Sequence, residues 1–227
     1  MLESIMTTLT PQIWAMIGEN FGISIYMVLM ATGFSYLFGL PLGVILVVTA
    51  PDGIHPMPKF NAVLGVVVNL LRSVPFLILL VVIIPITEFI VGTTYGANAI
   101  VVPLIASATP FVARMVETSF KEIDFGVIEA AQSMGASNWQ IITKVILPES
   151  KPSLLLGAAL SATTILGYSA MAGIVGGGGL GDVAIRYGYY RRVPEIMYVG
   201  VILLVIITQA IQEAGLRIAN KTDKRLH

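Results

Sequence analysis

Long apolar runs separated by short polar breaks dominate the chain and predict helices that cross a membrane. No charged residue occurs between Asn20 and Pro51, and about 20 apolar residues suffice to cross the hydrocarbon layer. Similar runs recur along the rest of the chain. The pattern predicts an all-α integral membrane protein with one membrane domain over residues 1–227 and five transmembrane helices, near residues 21–48, 65–90, 99–116, 153–175 and 195–216. Residues 1–19 are expected to form an interfacial lead-in.

Prolines, glycines and one arginine interrupt the predicted spans. Gly39 and Gly43 flank Pro41 inside the first span, which indicates either a close-packing face or a helix bent by proline. Arg72 precedes Pro75 in the second span. An arginine at the bilayer centre costs about 2.5–3.5 kcal/mol, so Arg72 is expected near an interface or facing the protein interior.

The distribution of Lys and Arg predicts the orientation of the spans, because basic residues accumulate on the cytoplasmic side. With the N-terminus outside, the outer side of five spans receives only three basic residues, Arg186, Arg191 and Arg192. The inner side receives the other ten, which are Lys59, Arg72, Arg114, Lys121, Lys144, Lys151, Arg217, Lys221, Lys224 and Arg225. This orientation places residues 121–151 in the cytoplasm and the C-terminus with them.

Composition excludes several classes of function. Of 227 residues, 56% are hydrophobic and 11% charged, with a mean hydropathy of +0.87, whereas soluble domains carry roughly a quarter charged residues. The formal net charge of zero gives no sign of nucleic-acid binding, and the absence of cysteine excludes thiolate chemistry. No signal peptide, Walker motif or catalytic motif is evident. We therefore expect no catalytic residue, no metal site and no enzyme.

The longest polar interruption, residues 124–148, has the pattern of two short helices with a break between them. Asp124 is suited to accept hydrogen bonds at a helix start, and an apolar stripe of Val127, Ile128, Ala131 and Met134 follows. Gly135 stands where a left-handed C-terminal residue is favoured. The stretch Ser137–Gln140 has the spacing of a capping box, and the second helix is expected to continue until Pro148 stops it.

This polar stretch resembles the EAA loop of ABC importer permeases. The resemblance is carried by the triplet Glu129-Ala130-Ala131, by Gly135, and by Leu147-Pro148 twelve positions later. In that family, the loop is a coupling helix that docks into a cleft of a cytoplasmic ATPase. The resemblance implies that residues 121–151, the coupling loop, lie between spans three and four of a type-I ABC importer fold. An ordinary amphipathic linker helix is the alternative.

Further stretches are similar to the methionine-uptake ABC transporter permeases, namely residues 71–87, 90–96, 110–117 and 167–189. The resemblance implies a homodimer in the bacterial cytoplasmic membrane, two ATP-binding-cassette subunits that bind ATP and Mg²⁺, and an extracytoplasmic substrate-binding lipoprotein. It implies no cofactor in this chain. Residues expected to line the pathway or its gate cluster at the end of span four: Met171, Gly176, Gly177, Gly178, Gly179 and Gly181.

Two other functions remain open from the residues alone. Permeases for osmoprotectants and phosphonates have similar glycine-rich ends, so the substrate rests on the combined resemblance. A membrane scaffold that only docks a partner would not need the prolines and glycines found inside the spans.

Glu88 and Arg114 are charges in or near spans, and such residues are candidates for function or for anchoring at the interface.

Overall fold

The computed structural model describes residues 10–223, and within that range the secondary structure is entirely helical. Two π-helical stretches, Ile142–Ile146 and Ala184–Tyr190, and a 3₁₀ turn, Gly173–Val175, join the α-helices. The α-helices in chain order are α1 Pro11–Val48, α2 Pro58–Ser73, α3 Phe76–Val82, α4 Ile84–Val91, α5 Ala97–Lys121, α6 Phe125–Ser133, α7 Asn138–Ile141, α8 Leu147–Glu149, α9 Lys151–Ala172, α10 Gly179–Val183 and α11 Pro194–Thr222.

Four helical segments of the described chain are long and apolar enough to cross a membrane, and a helix pair bent by 100° makes a fifth when it is counted as one span. The four are Pro11–Val48, Ala97–Lys121, Lys151–Val175 and Pro194–Thr222, and the pair is Pro58–Ser73 with Phe76–Val82. The predicted membrane fold with five spans is therefore confirmed. Helix α1 begins at Pro11, ahead of the predicted start at 21, so most of the described part of the expected lead-in is helical.

The second span differs from the prediction because it is not one helix over residues 65–90. Helix α2 ends at Ser73, and Val74 is extended, with φ −77° and ψ 123°. A proline disfavours helical backbone at the residue before it and contributes no N–H, so Pro75 ends α2 and caps α3. Arg72 lies exposed in the last turn of α2, with its guanidinium 5.9 Å from the centre of the Phe111 ring.

The helices pack into two compact units, each built from separate stretches of the chain. In the described chain, the first unit comprises residues 10–33, 75–106 and 162–211. Its buried side chains include Met27, Leu104, Ile165 and Leu180. Phe76 and Tyr168 stack within this unit, with ring centres 4.8 Å apart and planes inclined by 6°.

The second unit comprises residues 34–74, 107–161 and 212–223. Helix α1 continues through Pro41 and approaches α5 closely at two glycines. A methyl group at Gly39 would lie 2.7 Å from Val112 Cγ1, and one at Gly43 would lie 2.5 Å from Val116 Cβ. The structure thus supports the close-packing face, which needs glycine because a side chain would not fit.

Candidate functional site

The coupling loop begins with the predicted helix cap. Asp124 has extended backbone, and its Oδ1 accepts a hydrogen bond from the Gly126 N–H at 2.7 Å. This bond satisfies one of the free N–H groups at the start of α6.

A left-handed glycine ends α6. Gly135 has φ +77°, its N–H donates to Gln132 O at 2.9 Å, and the Ala136 N–H donates to Ala131 O at 3.1 Å. This pair of bonds is the Schellman motif, in which a glycine reverses the chain while the last carbonyls remain bonded. No other atom lies within 4 Å of a methyl group placed on Gly135. The requirement for glycine here is therefore conformational, and crowding plays no part.

A capping box starts the second helix of the loop, as its spacing predicted. The Ser137 N–H donates to Gln140 Oε1 at 2.9 Å, and the Gln140 N–H donates to Ser137 Oγ at 3.4 Å. Helix α7 then widens into the π-helical stretch Ile142–Ile146.

The prediction that Pro148 stops the second helix differs from the structure, because helical backbone continues as α8 to Glu149. In an α-helix a proline ring meets the carbonyl four residues earlier. The preceding π-helical stretch bonds Leu147 N–H to Ile142 O, five residues back. This wider winding relieves the conflict. Leu147 lies half-buried and Pro148 exposed.

One side of the coupling loop is fastened to the end of α5. Ile128, Ala131, Ile141 and Ile146 are buried in one hydrophobic cluster, together with residues of α5 and the turn after it, namely Val112, Val116, Phe120 and Ile123. Burial of each large aliphatic side chain contributes roughly 1.5–3 kcal/mol. The loop is therefore held as a fixed shape on its own unit.

The opposite side of the coupling loop leaves large apolar groups in the open. Met134 is 82% exposed and Trp139 is 73% exposed, and Phe125 and Val127 are exposed as well. The predicted stripe therefore divides, with Ile128 and Ala131 inward and Val127 and Met134 outward. Four large exposed apolar groups in one otherwise polar stretch make it a candidate interaction surface. We name these four exposed residues, Phe125, Val127, Met134 and Trp139, the outward apolar set.

Polar and small residues accompany the outward apolar set. Glu129 and Ala130 are exposed, and no ion pair within residues 10–223 includes Glu129. The loop also has a hollow of about 390 Å³, which is lined by Ala131, Met134, Gly135, Ala136, Gln140, Lys144 and Val145. The site can therefore offer a carboxylate, a concave surface and apolar groups to a partner.

The glycine-rich segment, residues 176–181, has the opposite character. Gly177, Gly179 and Gly181 are buried, and Gly176 and Gly178 are half-buried. Gly176, Gly178 and Gly179 have φ of +79°, +74° and +82°. The Gly96 N–H donates to Gly176 O at 3.1 Å, so the turn before α5 is tied to the segment. This segment is enclosed by its own unit.

Two residues of α1 that sequence reasoning missed contact the glycine-rich segment. Gly179 N–H donates to Asn20 Oδ1, and Leu180 N–H donates to Ser24 Oγ, both at 2.9 Å. The signal in the sequence is two polar residues four positions apart in an apolar span, and this spacing puts them on one helix face.

Three apolar side chains at the end of α9 and in the turn after it are open. Met171 is 47% exposed, Ile174 is 55% exposed and Val175 is 40% exposed. The sequence groups Met171 with the glycines, and the structure separates them, since the glycines face inward and Met171 does not. Its pathway role stays a prediction.

The charged residues near the spans are placed differently from one another. Glu88 is exposed on α4. Arg114 is half-buried and donates to the Glu117 carboxylate and, at 2.8 Å, to Gly65 O. Arg114 therefore links α5 to α2 within the second unit, and both of its predicted roles stay predictions. Within residues 10–223, no group of three or more acidic or histidine side chains could hold a metal ion.

Burial and an ion pair act in opposite directions on a carboxyl group in α10. Asp182 is almost fully buried, and Arg186 Nη2 lies 2.9 Å from its Oδ1. Burial raises the pKa of Asp182, and the charge and hydrogen bond of Arg186 partly offset that rise.

Comparison with known proteins gives concordant matches. The family model described as "Binding-protein-dependent transport system inner membrane component" matches residues 39–213. The probable D-methionine transport system permease protein MetI of Vibrio cholerae is 50% identical over 202 residues, covering 89% of this chain and 90% of the relative. The methionine import system permease protein MetP of Bacillus subtilis is 41% identical over 181 residues, covering 80% of this chain and 82% of the relative.

A solved structure agrees with these relatives. A chain from inward-facing conformations of the MetNI methionine ABC transporter has a TM-score of 0.93 and 41% sequence identity, and the match covers 95% of this chain and all of that one. The predicted type-I importer fold and the expectation of a permease rather than an enzyme are confirmed by these matches. The chain belongs to the family of binding-protein-dependent transport system inner membrane components.

Proposed function

We propose that this chain is the permease subunit of an ATP-driven ABC importer and forms the pathway for methionine, in the D or L form or both, across the cytoplasmic membrane. The observation that carries the substrate is the 50% identity, over most of both chains, to a relative named for D-methionine transport. The solved relative named for methionine transport, at a TM-score of 0.93, supports the same substrate.

We propose a homodimer that works with two ATP-binding-cassette subunits and an extracytoplasmic substrate-binding lipoprotein. ATP and Mg²⁺ are bound by the ATPase subunits, and this chain carries no cofactor. The outward apolar set supports an ATPase partner, since tryptophan and methionine side chains are enriched in protein interfaces. The membrane lipid is the remaining partner, and no nucleic acid is involved.

The coupling loop transmits force in this proposal. Closure of the ATPase dimer draws the two coupling loops together, and the spans turn between inward-open and outward-open states. Shifting such an equilibrium from 1:99 to 99:1 needs about 5.5 kcal/mol of differential binding. Because the loop is packed on the end of α5 through Ile128, Ile141 and Ile146, a displacement at its outer surface reaches the spans without being lost in loop flexibility.

The roles of individual residues within the loop follow from their exposure and backbone. Glu129 offers a charge to a donor on the ATPase, and charge-assisted bonds are about twice as strong as neutral ones. Exposed Ala130 lets the ATPase approach closely, and buried Ala131 lets the loop pack closely on the end of α5. Gly135 sets the bend, and Leu147 and Pro148 set the return into α9. The glycine-rich segment and Met171 serve the pathway or its gate.

We propose that the N-terminus lies outside and the C-terminus in the cytoplasm, on the asymmetry of basic residues. A reporter active only in the cytoplasm should work when fused after His227 and fail when fused at Met1. The reverse pattern would overturn this topology and, with it, the assignment of the coupling loop.

The function is tested by co-reconstituting the permease with its ATPase and binding protein and supplying labelled D-methionine, L-methionine, glycine betaine or a phosphonate. ATP-dependent uptake of methionine alone is expected. Glu129→Ala should weaken assembly or lower the uptake per ATP hydrolysed. Uptake of another solute instead of methionine would favour the osmoprotectant or phosphonate class. If no solute were taken up in an ATP-dependent way, a scaffold would be favoured.

A further inference from the structure

The helix that follows the glycine-rich turn lacks a cap from its own sequence. Helix α10 begins at Gly179, and Gly178 at the capping position has no side chain to offer. The first N–H groups of any helix have no partner inside it and require acceptors from elsewhere. The side chains of Asn20 and Ser24, more than 150 positions earlier in the chain, supply those acceptors.

The two acceptors are held in place before they meet the segment. Asn20 Nδ2 donates to Met16 O on its own helix at 2.9 Å, which turns Oδ1 toward the Gly179 N–H. Ser24 is 1% exposed, and Leu180 is fully buried. A methyl group at Gly179 would lie 2.7 Å from Ser24 Oγ and 2.9 Å from Met27 Cε. Close packing and hydrogen bonding therefore hold Gly179 against the same part of α1.

Separation of α1 from the segment would leave buried N–H groups without acceptors. Separation would also expose the buried surfaces of Ser24 and Leu180, and any donor that stayed buried without an acceptor would be costly. The contact is therefore suited to persist, and it is poorly suited to open and close within each cycle.

We infer that Asn20 and Ser24 are positioning residues whose side chains cap α10 and bind the glycine-rich segment to α1, so that the two move as one body during transport. This inference rests on the proposed role of the segment in the pathway. If the inference holds, the segment moves only together with α1. Surfaces that slide against each other during transport then lie elsewhere than at the contact of Asn20 and Ser24 with the segment.

Variants that remove only the acceptors test the positioning role. Ser24→Ala and Asn20→Leu keep the side-chain size close to the original and delete the acceptor, whereas Asn20→Asp retains an acceptor oxygen. Ser169→Ala is the matched control, because Ser169 is also buried in the first unit but donates to Leu166 O of its own helix. In reconstituted complexes, the measured quantity is methionine taken up per ATP hydrolysed.

We expect the uptake per ATP to fall about tenfold in Ser24→Ala and Asn20→Leu, as for one lost buried hydrogen bond. It should fall less in Asn20→Asp, which keeps the acceptor and loses the donor to Met16 O, and it should stay near the parent value in Ser169→Ala. A purely structural role would reduce folded complex, and uptake and hydrolysis would then fall together. Unchanged uptake per ATP in both acceptor deletions would overturn the inference. Failure of the parent to take up methionine would instead refute the proposed function.

A second measurement needs no substitution and covers variants that fail to fold. Hydrogen exchange is followed in the intact complex, without nucleotide and with ATP trapped at the ATPase, for peptides that begin at or before Gly177, because the first two residues of a peptide do not retain the label. The Gly179 and Leu180 amides should remain protected in both states. Loss of their protection on ATP trapping would show that α1 releases the segment during the cycle, which contradicts the inference.

Discussion

The coupling loop and the glycine-rich segment both depend on glycines with positive φ, yet they use them in opposite surroundings. Gly135 has free space around it, and the loop leaves Met134 and Trp139 exposed. Gly179 is buried against Ser24 and Met27. The first arrangement leaves a fixed apolar surface exposed, and the second joins elements of the same chain. The same residue type thus shapes an exposed loop in one unit, which we propose as the surface for the ATPase, and allows internal packing in the other.

The largest effect is expected from Gly179→Val. Left-handed backbone costs an ordinary side chain about 1–2 kcal/mol, and the contact with Ser24 Oγ and Met27 Cε adds about 1–3 kcal/mol of overpacking. Uptake should be lost while the ATPase still binds, because the coupling loop belongs to the other unit. Uptake assays and ATPase pull-down measure the two effects.

Gly22→Val is the control for that substitution. Gly22 lies on α1 between the two acceptors, and no other atom lies within 4 Å of a methyl group placed there. It should retain most uptake. If Gly22→Val lost as much uptake as Gly179→Val, the loss would not be specific to the glycine-rich segment.

Asparagine at the two glycines separates conformation from crowding. Asparagine tolerates left-handed backbone better than other side chains. Gly135→Asn should therefore keep assembly and uptake. Gly135→Val should lower the free energy of unfolding by about 1–2 kcal/mol and weaken ATPase binding. Gly179→Asn should fail, because its Cβ meets the same atoms as valine. If Gly179→Asn transported and Gly135→Asn did not, the contrast between the two sites would be wrong.

Substitutions on the two faces of the coupling loop should affect different quantities. Trp139→Ala should weaken ATPase binding by about 2 kcal/mol or more and leave the melting temperature of the isolated permease unchanged, since its side chain is exposed. Ile141, fully buried, should behave conversely, with Ile141→Ala costing about 2–5 kcal/mol of stability. Binding titrations and thermal unfolding in detergent distinguish them. A large loss of stability in Trp139→Ala would mean that this face packs within the chain.

The smallest expected effect is the pH dependence contributed by Asp182. Its pKa is raised above the ordinary value of 3.8 in the native state, so the native state binds the proton more tightly than the unfolded chain. Its contribution to stability is complete below pH 3.8 and is lost as the pH rises through the native pKa. Asp182→Asn should flatten that part of the melting-temperature profile. An unchanged profile would exclude this carboxyl group as its source.

The sequence predicted the parts of both regions that depend on local chemistry. The cap at Asp124, the left-handed Gly135 and the capping box at Ser137 each need only neighbouring residues, and all three are present. The spans followed from apolar run length, and their ends shifted where helices extended past the apolar run. Local rules could not show that Pro148 continues a helix, because that depends on the π-helical winding before it.

The pattern of apolar and polar residues could not predict contacts between residues far apart in the chain. The apolar stripe of α6 was predicted as one face, but Ile128 packs on α5 while Met134 stays exposed, and only the tertiary arrangement separates them. Asn20 and Ser24 carry no local signature of the helix that they cap, because α10 lies far along the chain. Their spacing is compatible with one helix face, but only the folded structure shows that this face contacts α10.

A direct test of the central claim uses the absence of cysteine from this chain. A single cysteine is introduced at exposed Met134 in the coupling loop or, as the control, at Tyr189 in the first unit, which is 69% exposed. Each carries a short photo-crosslinker in the assembled complex. Met134→Cys should capture the ATPase subunit, with a yield that changes on ATP trapping, and Tyr189→Cys should capture none. Capture from Tyr189→Cys and not from Met134→Cys would contradict the assignment of the coupling loop as the surface that receives the ATPase.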